Sequence, residues 1–119
     1  MEDLTKSEEK IMQIFWKLKK AFVKEVIEQL PPPKPPYNTI SSIVRILEKK
    51  GFLGYKAYGR TYEYFPIISK FAYRKSVFSN VMKNYFDGSY ENVVSYMVED
   101  EEMSEQELKE MQEIINKKI

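Results

Sequence analysis

The sequence predicts a mainly α-helical fold with a small β-hairpin, and three observations predict it. Apolar residues recur at helical spacing through the first fifty positions. A strand-like aromatic alternation then follows, folded about a Gly-Arg pair. Beyond it, helical spacing resumes in a segment whose charge has changed sign. At 119 residues the chain is one domain, or a small domain with an appendage.

The first helix is predicted over 5-TKSEEKIMQIFWKLKK-20. Thr5 and Glu8 have capping-box spacing, and Ile11, Ile14, Phe15 and Leu18 share a face. A short second helix fits 23-VKEVIEQL-30, with Val23, Val26, Ile27 and Leu30 together. Five of the six prolines then fall within Pro31–Pro36. Proline lacks the amide hydrogen and clashes with the preceding turn, so this run ends the helix and stiffens the link to the next. Pro32-x-x-Pro35 also matches a polyproline ligand pattern.

The third helix carries the functional signal. At about 100° per residue, Asn38, Ser41, Ser42, Arg45 and Lys49 form one stripe, with Thr39 at its margin. Ile40, Ile43, Val44 and Leu47 lie opposite. A merely solvated face tends toward Glu and Lys, whereas Asn and Ser weaken a helix slightly. Short hydrogen-bonding side chains followed by cations suit a helix laid in a DNA major groove. Asn38, Thr39, Ser41, Ser42 and Arg45 are therefore the base-edge candidates.

Gly51 is placed to close this helix. In 53-LGYKAYGRTYEYFP-66, Gly59-Arg60 reads as a two-residue hairpin turn. That register sets Tyr55 opposite Tyr64 and Ala57 opposite Tyr62 on one face, and Lys56 opposite Glu63 on the other. Three helices and a hairpin with a cationic tip describe a winged helix-turn-helix, expected over residues 1–68. Lys49, Arg60 and Thr61 are the candidates for contacts to the DNA backbone.

Residues 69–119 are predicted to form a helical dimerisation domain. Phe71, Val77, Phe78, Val81 and Tyr85 make one apolar face before Asp87-Gly88 interrupts it. Tyr90, Val93, Val94, Met97 and Val98 continue in a short helix. A second capping box, Ser104-x-x-Glu107, opens a last helix with Leu108, Met111, Ile114 and Ile115 inward. Short helices in a unit this small bury little alone, and a two-fold dimer hides such faces most simply. Phe71, Phe78, Val81, Tyr85, Val93, Val94, Met97, Leu108, Met111 and Ile115 are the dimerisation candidates.

Charge and composition narrow the function classes. Residues 1–75 hold 15 Lys/Arg against 8 Asp/Glu, and residues 76–119 hold 4 against 10. A basic front half is suited to a polyanion. Cysteine and histidine are both absent, which removes disulfides, thiol nucleophiles, Cys/His metal sites and the usual general base. With no phosphate loop or nucleophile–base pair either, neither an enzyme, a metal site nor a cofactor is expected. No long apolar run or export signal is present, so a cytoplasmic protein without membrane insertion is expected. Two other classes fit less of the pattern. One is a winged-helix protein-interaction module using Pro31–Pro36; the other is a small-molecule-responsive regulator holding its ligand around Phe71, Tyr73 and Phe78.

Four stretches resemble the penicillinase repressor family (the BlaI/MecI type), in family order and spacing. They are 4-LTKSEEKIMQIFW-16, 37-YNTISSIVRILEKKGFL-53, 58-YGRTYEYFP-66 and 84-NYFDGSYENVVSYMVEDEEMSEQELKEM-111. The resemblance covers nearly the whole chain. It implies a homodimeric transcriptional repressor on an inverted-repeat operator of double-stranded DNA, with the third helix reading half-sites and the wing on the backbone. Some family members carry Lys or Arg where this chain has Asn38 and Ser41, which implies a different operator sequence or weaker binding. Some members are inactivated by cleavage of an Asn-Phe bond. The equivalent bond here is Tyr96-Met97, a departure from that cleavage pattern that tells against the same protease specificity; an upstream sensor or protease is implied by the resemblance alone. The copper-responsive branch uses a C-terminal cysteine cluster that this chain lacks.

Overall fold

The computed structural model describes residues 3–99 and 104–118, apart from the side chains of Ile115 and Lys118. The element order is α1 (Lys6–Leu18), β1 (Ala21–Phe22), α2 (Val23–Glu28), α3 (Tyr37–Lys49), β2 (Leu53–Tyr58) and β3 (Thr61–Pro66), then α4 (Lys70–Phe86), α5 (Tyr90–Glu99) and α6 (Glu105–Lys118). The chain divides into two compact units, Met1–Val77 and Phe78–Ile119, with the division inside α4.

The first unit is built as the spacing predicts. Thr5 and Glu8 form the reciprocal capping box, the Glu8 amide donating to Thr5 Oγ1 at 3.2 Å and the Thr5 amide to Glu8 Oε1 at 3.0 Å. Ile11, Met12 and Phe15 of α1 meet Val23 and Val26 of α2 and Ile40, Val44 and Leu47 of α3 in one core. Each large apolar side chain fully buried there contributes about 1.5–3 kcal/mol of transfer free energy. The α2 helix ends at Glu28, two residues short of the expected Leu30. Gln29 and Leu30 continue in turn hydrogen bonds, and the prolines that follow supply no amide to extend the ladder. Lys34 fastens this loop by donating to the Glu28 carbonyl at 3.0 Å and to that of Leu30.

The sheet has three antiparallel strands in the order β1-β3-β2, one more than the hairpin alone. The added strand pairs Ala21 with Tyr64 and Phe22 with Glu63. The hairpin register is the predicted one, with Tyr55 opposite Tyr64, Lys56 opposite Glu63 and Ala57 opposite Tyr62. Gly59 takes a φ of +63° at the first turn position, where a side chain would be strained. Gly51, at φ +85°, closes α3: its amide reaches the Glu48 carbonyl at 3.0 Å and that of Phe52 reaches Leu47 at 2.9 Å.

The core takes in the first turn of α4, which is why the compact unit runs on to Val77. Tyr73 is buried, packed on Trp16 at 5.8 Å and on Phe52 at 5.6 Å between ring centroids, and its hydroxyl accepts the Leu4 amide at 3.2 Å. Trp16 donates its indole hydrogen to the Ile68 carbonyl at 2.9 Å.

The second unit is thinly cored. Among its described residues Met82 is buried, whereas α5 contains no buried residue. Its helix ends are well made all the same: Ser89 accepts the Asn92 amide at 3.2 Å, and Ser104 accepts that of Glu107 at 3.2 Å.

Candidate nucleic-acid interface

The α3 helix begins at Pro36, which enters in extended backbone, and its first turn contains no acidic residue. Its partly positive N-terminus is therefore left open to an anion. Burying Ile40, Val44 and Leu47 against the core fixes the rotation of the helix. Asn38, Thr39, Ser42, Arg45 and Lys49 are consequently exposed, with Ser41 half-buried beside them. All six predicted residues lie on the outward side of one helix.

Hydrogen bonding refines their chemistry. Ser42 donates its hydroxyl proton to the Asn38 carbonyl one turn back, at 2.8 Å. It therefore faces outward mainly as an acceptor, suited to an exocyclic amine of adenine or cytosine. Asn38 keeps both an amide donor and a carbonyl acceptor, the pair that adenine matches. Periodicity passed over Ile46, which is 44% exposed beside this stripe. Its signal was an apolar residue outside the core-facing set, the kind of group that meets a thymine methyl.

At the wing, Arg60 stands exposed on the hairpin tip. Thr61 is also exposed, but its hydroxyl donates to the Tyr58 carbonyl at 2.9 Å and closes the turn. Lys56, on the opposite face of the sheet, sits 5.3 Å from the Tyr58 ring centroid.

Between α3 and the wing runs a groove of about 410 Å³ lined by Arg45, Glu48, Lys49, Tyr55, Tyr62 and Tyr64. Tyr55 and Tyr62 stack with centroids 4.6 Å apart, and Tyr64 lies behind them at 5.9 and 6.3 Å. Burial, reinforced by the Glu48 carboxylate, pushes the Tyr64 phenol above its ordinary range despite the opposing Arg45 charge. Tyr64 is thus a neutral hydroxyl across the working pH range.

The apolar candidates of the rear segment divide by exposure. Phe71, Phe78, Val81 and Tyr85 are exposed along α4; Val93, Val94 and Met97 of α5 and Leu108 and Met111 of α6 are half-buried. The Ile115 side chain lies outside the described residues. Tyr73 belongs to the core of the first unit and is closed to a ligand there. No helix among the described residues is long and apolar enough to cross a membrane.

Comparison with known proteins agrees with this arrangement. The model of the family described as "Penicillinase repressor" matches residues 4–117. The methicillin resistance regulatory protein MecI of Staphylococcus aureus is 26% identical over 117 residues, spanning 98% of this chain and 95% of its own length. The penicillinase repressor of Bacillus licheniformis is 25% identical over 113 residues, spanning 94% and 88%. The solution structure of the DNA binding domain of the repressor BlaI superposes with a TM-score of 0.52 at 29% identity, over 60% of this chain and 88% of that one.

Proposed function

The chain belongs to the penicillinase repressor family, and from that premise we propose that it is a cytoplasmic, homodimeric transcriptional repressor of an inverted-repeat DNA operator. The observation that carries this reading is the outward face of α3. It combines Asn38, Thr39, Ser42 and Arg45 on a helix whose rotation the core fixes. Residues 1–68 serve as the DNA-binding domain, with α3 in the major groove and Arg60 on the backbone. Lys49 adds a phosphate contact at the far end of the same helix.

Residues 69–119 serve for dimerisation. Phe78, Tyr85, Tyr90 and Ile114 are each half or more exposed, more apolar surface than a thinly cored unit leaves open to water. A second copy, related by a two-fold axis, covers that surface and sets the spacing of the two α3 helices. Repression follows by occupancy, since a dimer seated on its operator blocks transcription there. Tyr96-Met97 takes the place of the bond that a protease would cut, should relief of repression follow the proteolytic route implied by resemblance.

The affinity has two physical sources. Lysines and arginines release counterions from phosphates, which makes binding steeply salt-dependent. Base contacts then select the sequence, each good bidentate pair contributing about 1–3 kcal/mol. Arg45→Ala is expected to weaken binding to the preferred site more than tenfold and to reduce the salt slope by about one. The dimer should stay intact in sedimentation. Unchanged affinity at fixed salt would remove Arg45 from the interface.

A further inference from the structure

The groove between α3 and the wing contains more chemistry than a packing seam needs. Tyr64 roots the tyrosine set in the core through an edge contact with Phe15, 6.5 Å between centroids. Strand pairing fixes Tyr55 across from Tyr64, and Tyr62 stacks on Tyr55. The outer two rings are nonetheless 46% and 42% exposed. Phenylalanine would pack as well; tyrosine adds hydroxyls on rings already held rigid, so a contact made by them costs little further side-chain entropy.

The opposite wall supplies the charge. Arg45 and Lys49 are one helical turn apart and continue the stripe that starts at Asn38. A nucleic-acid strand lying along that stripe therefore runs into the groove, whose volume of about 410 Å³ is of the order that holds a small molecule. A single carboxylate, that of Glu48, opposes the two cations.

We propose that this groove clamps the operator backbone, its phosphates held between Arg45 and Lys49 on one wall and the hydroxyls of Tyr55 and Tyr62 on the other. The clamp rests on the DNA-binding function proposed above and adds a contact to it. Hydroxyl contacts to phosphate fix register without reading sequence. They add affinity on any duplex and leave specificity to Asn38, Thr39, Ser41 and Ser42, the clamp moving Arg45 from the base-edge set to the phosphate. Glu48, facing the same anion, sets a ceiling on that affinity.

The test uses the full-length chain with two labelled duplexes, one of random sequence and one bearing the inverted repeat selected by the wild type. Tyr55→Phe/Tyr62→Phe keeps the stacked rings, so its thermal melt should match the wild type. Its affinity should fall about tenfold on both duplexes with an unchanged salt slope, since two neutral donors have been lost. Glu48→Gln should bind both duplexes severalfold more tightly. If the wild type binds while the double Phe variant retains full affinity and Glu48→Gln gains none, the clamp is overturned and the repressor function stands. A loss confined to the selected duplex would also overturn it, because the tyrosines would then be reading bases. A wild type that binds neither duplex overturns both.

Discussion

Glu8 and Lys50 join the start of α1 to the end of α3 through an ion pair of 2.7 Å, with the Glu8 side chain almost fully buried. Burial alone would raise the Glu8 pKa. The Lys50 ammonium and the Thr5 amide and hydroxyl outweigh it and hold the carboxyl below its usual value of 4.5. A carboxylate with a depressed folded pKa stabilises the fold at pH above its unfolded value and loses that contribution as pH falls through the folded one. Glu8→Gln is therefore expected to cost about 1–3 kcal/mol at neutral pH, because Lys50 loses its buried partner. The cost should begin to shrink as pH falls below 4.5, where the unfolded chain takes up its proton first, and should disappear once pH has passed the lowered folded value. Parallel melts of both proteins over pH would show the two curves converge; a constant gap would refute the assignment. The capping role of Glu8 was legible in Thr5-x-x-Glu8. Its burial was not, because Lys50 lies 42 positions away and nothing local announces the pair.

At the scale of elements, α1, α3 and the hairpin were legible because each has a periodic apolar face with a chemical stop. The strand β1 was missed because Ala21-Phe22 is too short to show alternation, and only β3 makes it a strand. Alternation placed Tyr55, Tyr62 and Tyr64 on one face of the wing. It gave no sign that the Arg45–Lys49 side of α3 flanks that face, so the groove emerged only in three dimensions. Gly54 is another tertiary fact. A Cβ there would lie 2.9 Å from two atoms of the Phe65 ring and 3.2 Å from Ile67. Gly54→Ala is expected to destabilise the first unit by about 1 kcal/mol as the ring is displaced. In a Phe65→Ala background the same change should cost much less, the Ile67 contact alone remaining, which a double-mutant cycle in denaturant measures. Equal costs in both backgrounds would mean that the ring is not the obstacle.

At the scale of the whole molecule, the chain couples a firmly cored winged-helix unit to helices that leave much of their apolar surface exposed. The amphipathic pattern beyond residue 69 pointed to helices and to a partner, but amphipathicity cannot say which copy or protein provides the covering surface. The proposed homodimer makes a direct expectation. Wild-type protein should sediment at twice the 14.2 kDa chain mass, whereas Phe78→Asp/Val81→Asp should sediment as a single chain. That variant should keep its affinity for a half-site and lose at least tenfold on an inverted repeat, because linked half-sites gain from effective concentration. A variant that remains dimeric would move the interface away from α4.

The central claim is sequence-specific binding by a dimer, and its most direct measurement is selection of purified wild-type protein on a randomised DNA duplex pool near physiological salt, followed by sequencing. The expected result is enrichment of an inverted repeat whose half-sites change when Asn38 or Ser41 is replaced. A folded, dimeric protein that enriches no sequence from the pool would contradict it.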